Sequence, residues 1–123
     1  MSGVLLIALA LGIALLQYLA NYYAWYFHYW YADIPMHFLG GTLIASFTLW
    51  WLRFEVPIGL RDRIPRFTVT LGVVVAVGVA WEIFEYFTGM HAASNYPLDT
   101  VLDFATNTAG FLFAYLVFTK YAR

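Results

Sequence analysis

Two glutamates, Glu82 and Glu85, lie three residues apart in one of the most apolar parts of the chain. Residues 71–79, just before them, carry no polar side chain, and no Lys or Arg lies beside either glutamate. A carboxylate can act as a general acid or base, or as a ligand for a divalent cation. The pattern therefore raises the question of what offsets two negative charges in an apolar segment.

Further polar side chains recur at helical spacing in two other apolar segments. Asp33 and His37 are four residues apart, and so are Asp99 and Asp103, with Asn107 at the next such interval. Residues four apart share one face of a helix. Carboxylate and imidazole ligands suit Zn²⁺, Mn²⁺ or iron, whereas Mg²⁺ and Ca²⁺ prefer sites without histidine.

The composition indicates a membrane protein. The 123 residues are 63% hydrophobic and 11% charged, with a mean hydropathy of +0.74, against about 45–50% apolar and about 25% charged in soluble domains. A domain of this length cannot bury so much apolar surface. The net charge of −1 indicates neither nucleic acid nor an anionic surface as a partner, and the lack of cysteine excludes thiolate and disulfide chemistry.

Four apolar segments are long enough to cross a bilayer, which takes about 20 helical residues. The sequence therefore predicts an all-α fold: a four-helix transmembrane bundle that forms a single multi-pass domain over residues 1–123. The predicted helices span residues 4–24, 34–53, 67–89 and 100–119. The first segment is too long for a signal peptide and has no basic residue before it, so we interpret it as a retained anchor.

The basic residues predict how the bundle is oriented. All six Lys and Arg residues lie between the second and third segments or at the C-terminus. The positive-inside rule assigns these regions to the cytoplasm, so both termini are predicted to be cytoplasmic, in the plasma (inner) membrane. The first connection, residues 21–31, is rich in Tyr and Trp, as expected for a belt that anchors the outer interface.

In this topology the intramembrane polar groups collect near the outer, extracytoplasmic face. An acid at mid-bilayer costs about 2.5–3.5 kcal/mol on insertion scales, so several acids together need shared protons or a bound cation. We expect a divalent metal (Zn, Mn or Fe) with five ligands: His37, Glu82, Glu85, Asp99 and Asp103. The predicted catalytic residues are Glu82, Glu85 and Asp103. Supporting roles are expected for Asp33 and Asn107, and His91 in the third connection is a further candidate ligand.

Structural roles are also open for several of these residues. Asp33 and Asp99 each lie two residues from a proline, and either can be a helix N-cap. His37 can be a hydrogen-bonded core histidine, and His91 can be a solvated loop residue. Structural roles explain Glu82, Glu85 and Asp103 less well, because ionisable residues within a membrane are functional by default.

Three motifs follow one another along the chain: D-x-x-x-H at residues 33–37, E-x-x-E at 82–85 and D-x-x-x-N-x-x-G at 103–110. Together they resemble the VanZ-like and YjdF-like small membrane proteins over roughly residues 30–118. The resemblance implies a multi-helix membrane fold and, for VanZ itself, an association with glycopeptide (teicoplanin) resistance at the cell envelope. Glu85 and Ile34 stand where the VanZ pattern usually has Gln and Lys, so the YjdF-like branch is the more similar one.

Three classes of function fit these observations. The first is metal-assisted hydrolysis or transfer on a lipid or lipid-linked envelope substrate, with the metal activating water and an uncoordinated acid serving as general base. The second is a non-catalytic accessory or scaffold protein in which the acids are neutral and hydrogen-bonded to one another. The third is a proton or cation transporter, which the lack of ionisable residues in the predicted inner half disfavours.

Overall fold

Long apolar runs without internal prolines form long helices in this chain. The structure, a computed structural model, describes residues 2–89 and 96–121. Within these residues every regular element is an α-helix, which confirms the all-α prediction. The helices are α1 (Gly3–Tyr22), α2 (Trp25–His28), α3 (Asp33–Phe54), α4 (Ile58–Arg61), α5 (Arg66–Thr88) and α6 (Tyr96–Tyr121).

Three of the long helices, α1, α5 and α6, are long and apolar enough to cross a membrane. They correspond to three of the four predicted segments. The remaining segment, 34–53, forms the 22-residue helix α3, which is not among the candidate spans in the described part of the chain. Its histidine, its glycines and its hydroxyl side chains lower its mean hydropathy, and all of these except Gly40 are buried against neighbouring helices.

The central helix of the structure is α3. It packs most extensively against α6 and also contacts α1 and α5. Its buried residues are largely small or polar, and they recur every three or four positions: His37, Gly41, Thr42, Ala45, Ser46, Thr48, Leu49 and Leu52. Most valines of α5 and several leucines of α1 are exposed on the outer surface instead, whereas Val74 and Leu6 are buried. Lipid solvates the exposed apolar side chains, so close packing and polar contacts contribute strongly to helix association. The buried apolar cluster is small and consists of Ala45, Val74, Phe111 and Ala114.

Two glycines bring α3 and α6 into backbone contact. A β-carbon on Gly41 would overlap the backbone carbonyl of Asn107, and one on Gly110 would overlap the carbonyl oxygen of Phe38. The Thr42 hydroxyl also donates to the carbonyl of Gly110 at 3.3 Å. Small residues at a crossing let membrane helices approach this closely, and the contact sets the register of the two helices.

The contacts between helices also set their directions. His37 lies beside Asp103, and five residues later Thr42 reaches Gly110, so α3 and α6 run parallel. In contrast, Glu82 contacts Thr100 whereas the earlier Gly78 faces the later Phe104, so α5 is antiparallel to α6. The starts of α3 and α6 and the end of α5 therefore lie at one end of the molecule.

The two short helices lie in connections that the sequence predicted only as loops. The first, α2, follows Ala24, whose backbone is left-handed with φ 53°. The second, α4, follows Pro57 and is one turn long. Next to it, the Arg61 guanidinium donates to the carbonyl of Arg53 at 2.8 Å, which satisfies one of the carbonyls left open at the end of α3.

Candidate metal centre

The predicted acids and histidine of three helices converge at the end where α3 and α6 begin and α5 ends. They form two overlapping groups, in each of which every residue offers one ligand atom and these atoms lie within 4.8 Å of one another. The histidine triad consists of Asp33, His37 and Asp103. The glutamate triad consists of Glu82, Glu85 and Asp103. Asp103 belongs to both.

In the histidine triad, His37 lies between two carboxylates. Its Nε2 is 3.4 Å from Asp33 Oδ2 and 3.4 Å from Asp103 Oδ1. Asp33 is the first residue of α3 rather than its N-cap, a position held by Ala32 without a side-chain cap. Its side chain is 29% exposed, whereas those of the other two are nearly buried. Solvent or a ligand can therefore reach the histidine triad next to Asp33.

The glutamate triad is supported by hydrogen bonds from outside it. The Thr100 hydroxyl of α6 donates to Glu82 Oε2 at 2.7 Å, and the Trp81 indole donates to Glu85 Oε1 at 2.8 Å. Donors of this kind orient carboxylates that bind metals. The sequence analysis missed both donors. The four-residue spacing of Trp81 and Glu85 was a usable signal, whereas the approach of Thr100 to Glu82 depends on helix packing.

Asp103 is the most deeply buried acid of the site. It is 3% exposed, and its Oδ2 is buried without a hydrogen-bond partner among residues 2–89 and 96–121. A buried polar atom without a partner costs free energy, and a buried unpaired charge costs far more. The described Lys and Arg residues lie at the opposite end of the three helices, at the ends of α3 and α6, at the start of α5 or in the connection between α3 and α5. A bound proton or a bound cation would therefore stabilise the Asp103 carboxylate.

The other predicted site residues have different positions. Asp99 belongs to neither triad in the described chain and lies one turn before Asp103 in α6. That helix begins at Tyr96 instead of near residue 100, since Pro97 is tolerated in a first turn, so Asp99 is inside the helix and is not its N-cap. Asn107 is buried at the glycine crossing. His91 lies outside the described residues.

One aromatic residue of the first connection also belongs to the surroundings of the site. Tyr26 of α2 donates its hydroxyl hydrogen bond to Gln17. Burial raises the pKa of the Tyr26 hydroxyl, and the charges of Asp33 and Glu85 raise it further. The phenol thus lies within electrostatic reach of both triads, although the sequence had indicated only an interfacial belt, because one Tyr among many carries no distinguishing signal.

An apolar cleft of about 390 Å³ opens beside the glutamate triad, between α5 and α6. Glu82 is the one acid of its lining. The other residues that line it are aliphatic or aromatic: Val79, Ile83, Tyr86, Phe87 and Phe104. The side chains of Ile83, Tyr86 and Phe87 are otherwise exposed. The cleft therefore joins a buried carboxylate to the apolar outer surface of the bundle.

Comparison with known proteins places the chain in a family. A family model described as "Predicted membrane protein (DUF2238)" matches residues 1–123, so the chain belongs to this family of membrane proteins. The match agrees with the YjdF-like side of the resemblance seen in the motifs. No curated protein and no solved structure matches the chain significantly.

Proposed function

We propose that this member of the DUF2238 family binds a divalent cation between α3, α5 and α6 and uses it in hydrolysis or group transfer on a lipid or lipid-linked envelope substrate. The observation that carries the proposal is Asp103 Oδ2, a buried carboxylate oxygen without a hydrogen-bond partner in the described chain. It lies where two sets of potential ligands meet. A cation there satisfies an atom that the protein itself leaves unsatisfied.

The ligands come from both triads, and their chemistry selects the cation. Imidazole with carboxylates suits Zn²⁺, Mn²⁺ or iron. Such an ion polarises a phosphoryl or carbonyl oxygen and activates water. Asp99, one turn outside the triads, is either a further ligand or the general base, because a carboxylate that binds no metal is available to take a proton.

The proposed orientation follows from the two ends of the bundle. The arginines lie at the end opposite the triads, and the positive-inside rule makes that end cytoplasmic. With α3 as a fourth spanning helix, shielded by α1, α5 and α6, both termini are cytoplasmic and the triads face outward in the plasma (inner) membrane. Polar residues on α3 are compatible with this, since they contact other helices rather than lipid.

The apolar cleft supports a lipid-like substrate. It is open to the surface that lipid covers, and Glu82 lies at its polar end. An acyl or prenyl chain in the cleft would place the attached ester or phosphate beside the triads. This agrees with the VanZ-like side of the resemblance, which points to the cell envelope.

The cation is tested by metal analysis. Protein purified in detergent, incubated with Zn²⁺ or Mn²⁺ and then desalted, should retain metal and unfold at a higher temperature than the chelated protein. Asp103→Asn should weaken metal retention at least tenfold, because the amide keeps the shape of the side chain but is a poor ligand. Asp62→Asn, in the exposed α3–α5 connection, is the matched control and should behave like wild type. A metal-free protein whose unfolding ignores both ions would refute the site.

The reaction is tested separately from the cation. Proteoliposomes made from phospholipid or from lipid-linked precursors should release a polar headgroup or transfer it, as measured by mass spectrometry. Chelation should abolish the release, and Asp99→Asn should lower the rate while leaving metal retention in place if Asp99 is the base. Metal-loaded protein that leaves every such substrate unchanged would argue against catalysis.

A non-catalytic accessory protein is the second candidate. It is favoured by one observation: His37 lies equally close to two aspartates, so a protonated imidazole would form an ion-pair network without any metal. This role predicts that His37→Gln destabilises the fold to the same extent in chelator and in Zn²⁺. Metal-dependent stability that His37→Gln abolishes would exclude this metal-free network.

A further inference from the structure

The two triads share one residue and differ in all others. Asp103 Oδ1 faces His37, and Asp103 Oδ2 is buried without a partner in the described part of the chain. The remaining members lie on different helices, two on α3 and two on α5. One carboxylate thus stands between two separate sets of donors, as a bridging ligand does in two-metal sites, where the ions lie about 3.5–4 Å apart.

The spacing within the histidine triad fits a metal better than hydrogen bonds. Both distances from His37 Nε2 to a carboxylate oxygen are 3.4 Å, which exceeds the 2.7–3.2 Å or so of a good N–H···O bond. Ligands at about 2.0–2.2 Å from a tetrahedral ion are about 3.4 Å from one another. The two distances from His37 Nε2 therefore match the ligand–ligand spacing around one tetrahedral ion, and the three ligand atoms of the triad all lie within 4.8 Å of one another.

Charge balance favours a second cation when the carboxylates are ionised. The four carboxylates of the two triads carry a charge of −4 when ionised, and a histidine that binds a metal is neutral. A single divalent ion leaves half of that charge uncompensated in a site without a described Lys or Arg. Two divalent ions neutralise it, and isolated charges in an apolar interior are strongly unfavourable.

The hydrogen bonds that Thr100 and Trp81 donate to the glutamate triad are consistent with a second bound ion. Thr100 and Trp81 each donate to one oxygen of a glutamate, the arrangement that orients ligating carboxylates. The donors of this triad are all oxygens, whereas the other triad contains an imidazole. Oxygen-only sites suit Mn²⁺ or Mg²⁺, and sites with imidazole suit Zn²⁺, Mn²⁺ or iron.

We infer that the site holds two divalent cations bridged by Asp103, one in the histidine triad and one in the glutamate triad. The inference rests on the proposed metal-dependent function and specifies its centre. The two ions would have different surroundings. One would lie next to the partly exposed Asp33, and the other would lie next to Glu82 and the apolar cleft. Mn²⁺ suits both donor sets and is the probe that reports both.

The test is a Mn²⁺ titration of the full-length chain in detergent, followed by metal content per chain and by electron paramagnetic resonance. Wild type should bind two Mn²⁺ per chain and show the exchange-coupled spectrum of a close pair instead of that of an isolated ion. The double variant Glu82→Gln, Glu85→Gln should bind one Mn²⁺, uncoupled. His37→Gln should also lose one ion. Asp103→Asn should lose the coupling and weaken both sites at least tenfold.

Two controls keep these outcomes interpretable. Asp62→Asn should retain two coupled ions, and size-exclusion chromatography with circular dichroism should show that each variant is folded. One ion per chain in wild type, or two ions without coupling, overturns the bridged pair while leaving the proposed cation site intact. No bound ion in folded wild type overturns both.

Discussion

The buried hydroxyls in the middle of α3 and the buried carboxylates at the end of the bundle differ in how their hydrogen bonds are satisfied. Along the middle of α3, Thr42 and Thr48 donate to the carbonyls of Phe38 and Ile44, one turn earlier in the same helix, each at 2.8 Å. At the end of the bundle, the acids depend on other elements or on neighbouring side chains, and Asp103 has one oxygen without any partner in the described residues. Helix α3 itself satisfies the hydroxyls of Thr42 and Thr48, whereas no helix satisfies Asp103 Oδ2 within the described residues.

The physical cause is the direction of the hydrogen bond. A hydroxyl carries its own donor, and a helix offers it a carbonyl four residues back. An ionised carboxylate only accepts, and the backbone N–H groups inside a helix are already used. Buried acids therefore need donors or cations from elsewhere. For this reason we interpret Thr42 and Thr48 as structural residues and the clustered acids as a candidate site.

The largest effect is expected from breaking the contact that holds both groups in register. Gly41→Ala should destabilise the fold by about 3 kcal/mol, since the new β-carbon meets the backbone of α6, which cannot rotate away. Gly40→Ala is the matched control because a β-carbon there meets nothing within 4 Å; helix propensity should make it neutral or slightly stabilising. Unfolding free energies in bicelles measure both. Equal effects of the two variants would contradict the close crossing.

A smaller effect of opposite sign is expected at Thr70. This residue of α5 is fully buried, and its hydroxyl has no hydrogen-bond partner among the described residues. Thr70→Val keeps the shape and removes the unsatisfied group, so it should stabilise the protein by about 1 kcal/mol. The same unfolding measurement applies. A clear loss of stability would mean that the hydroxyl does have a partner.

The smallest effect is expected at Thr48, whose hydroxyl is satisfied inside its own helix. Thr48→Val should change the free energy of unfolding by no more than about 0.5 kcal/mol, because such local bonds contribute little in membrane helices. Thr70→Val, at a site of similar burial, is the comparison. A loss of stability clearly above that value would mean that the Thr48 hydroxyl contributes more than its local bond to the carbonyl of Ile44.

Much of the site was predictable because helical periodicity is local. Three candidate spans, the pairing of Asp33 with His37 and that of Glu82 with Glu85 all follow from spacing along one helix. This spacing did not predict which residues of different helices form each triad. Asp33 was expected in a supporting role but belongs to the histidine triad, whereas Asp99, an expected ligand, lies outside both triads in the described chain. The contact of Thr100 with Glu82 was not foreseen, since it joins two helices, and neither was the electrostatic effect of Asp33 and Glu85 on Tyr26.

The amino-acid sequence by itself determined that this chain is a helical membrane protein with several acids and one histidine in apolar segments, because composition and periodicity are properties of consecutive residues. Only the tertiary structure decided that Asp103 lies between two donor sets. That placement depends on the backbone contact at Gly41 and Gly110, which fixes how α3 and α6 are rotated and shifted. A one-residue change in that register would turn Asp103 about 100° around α6 and away from His37.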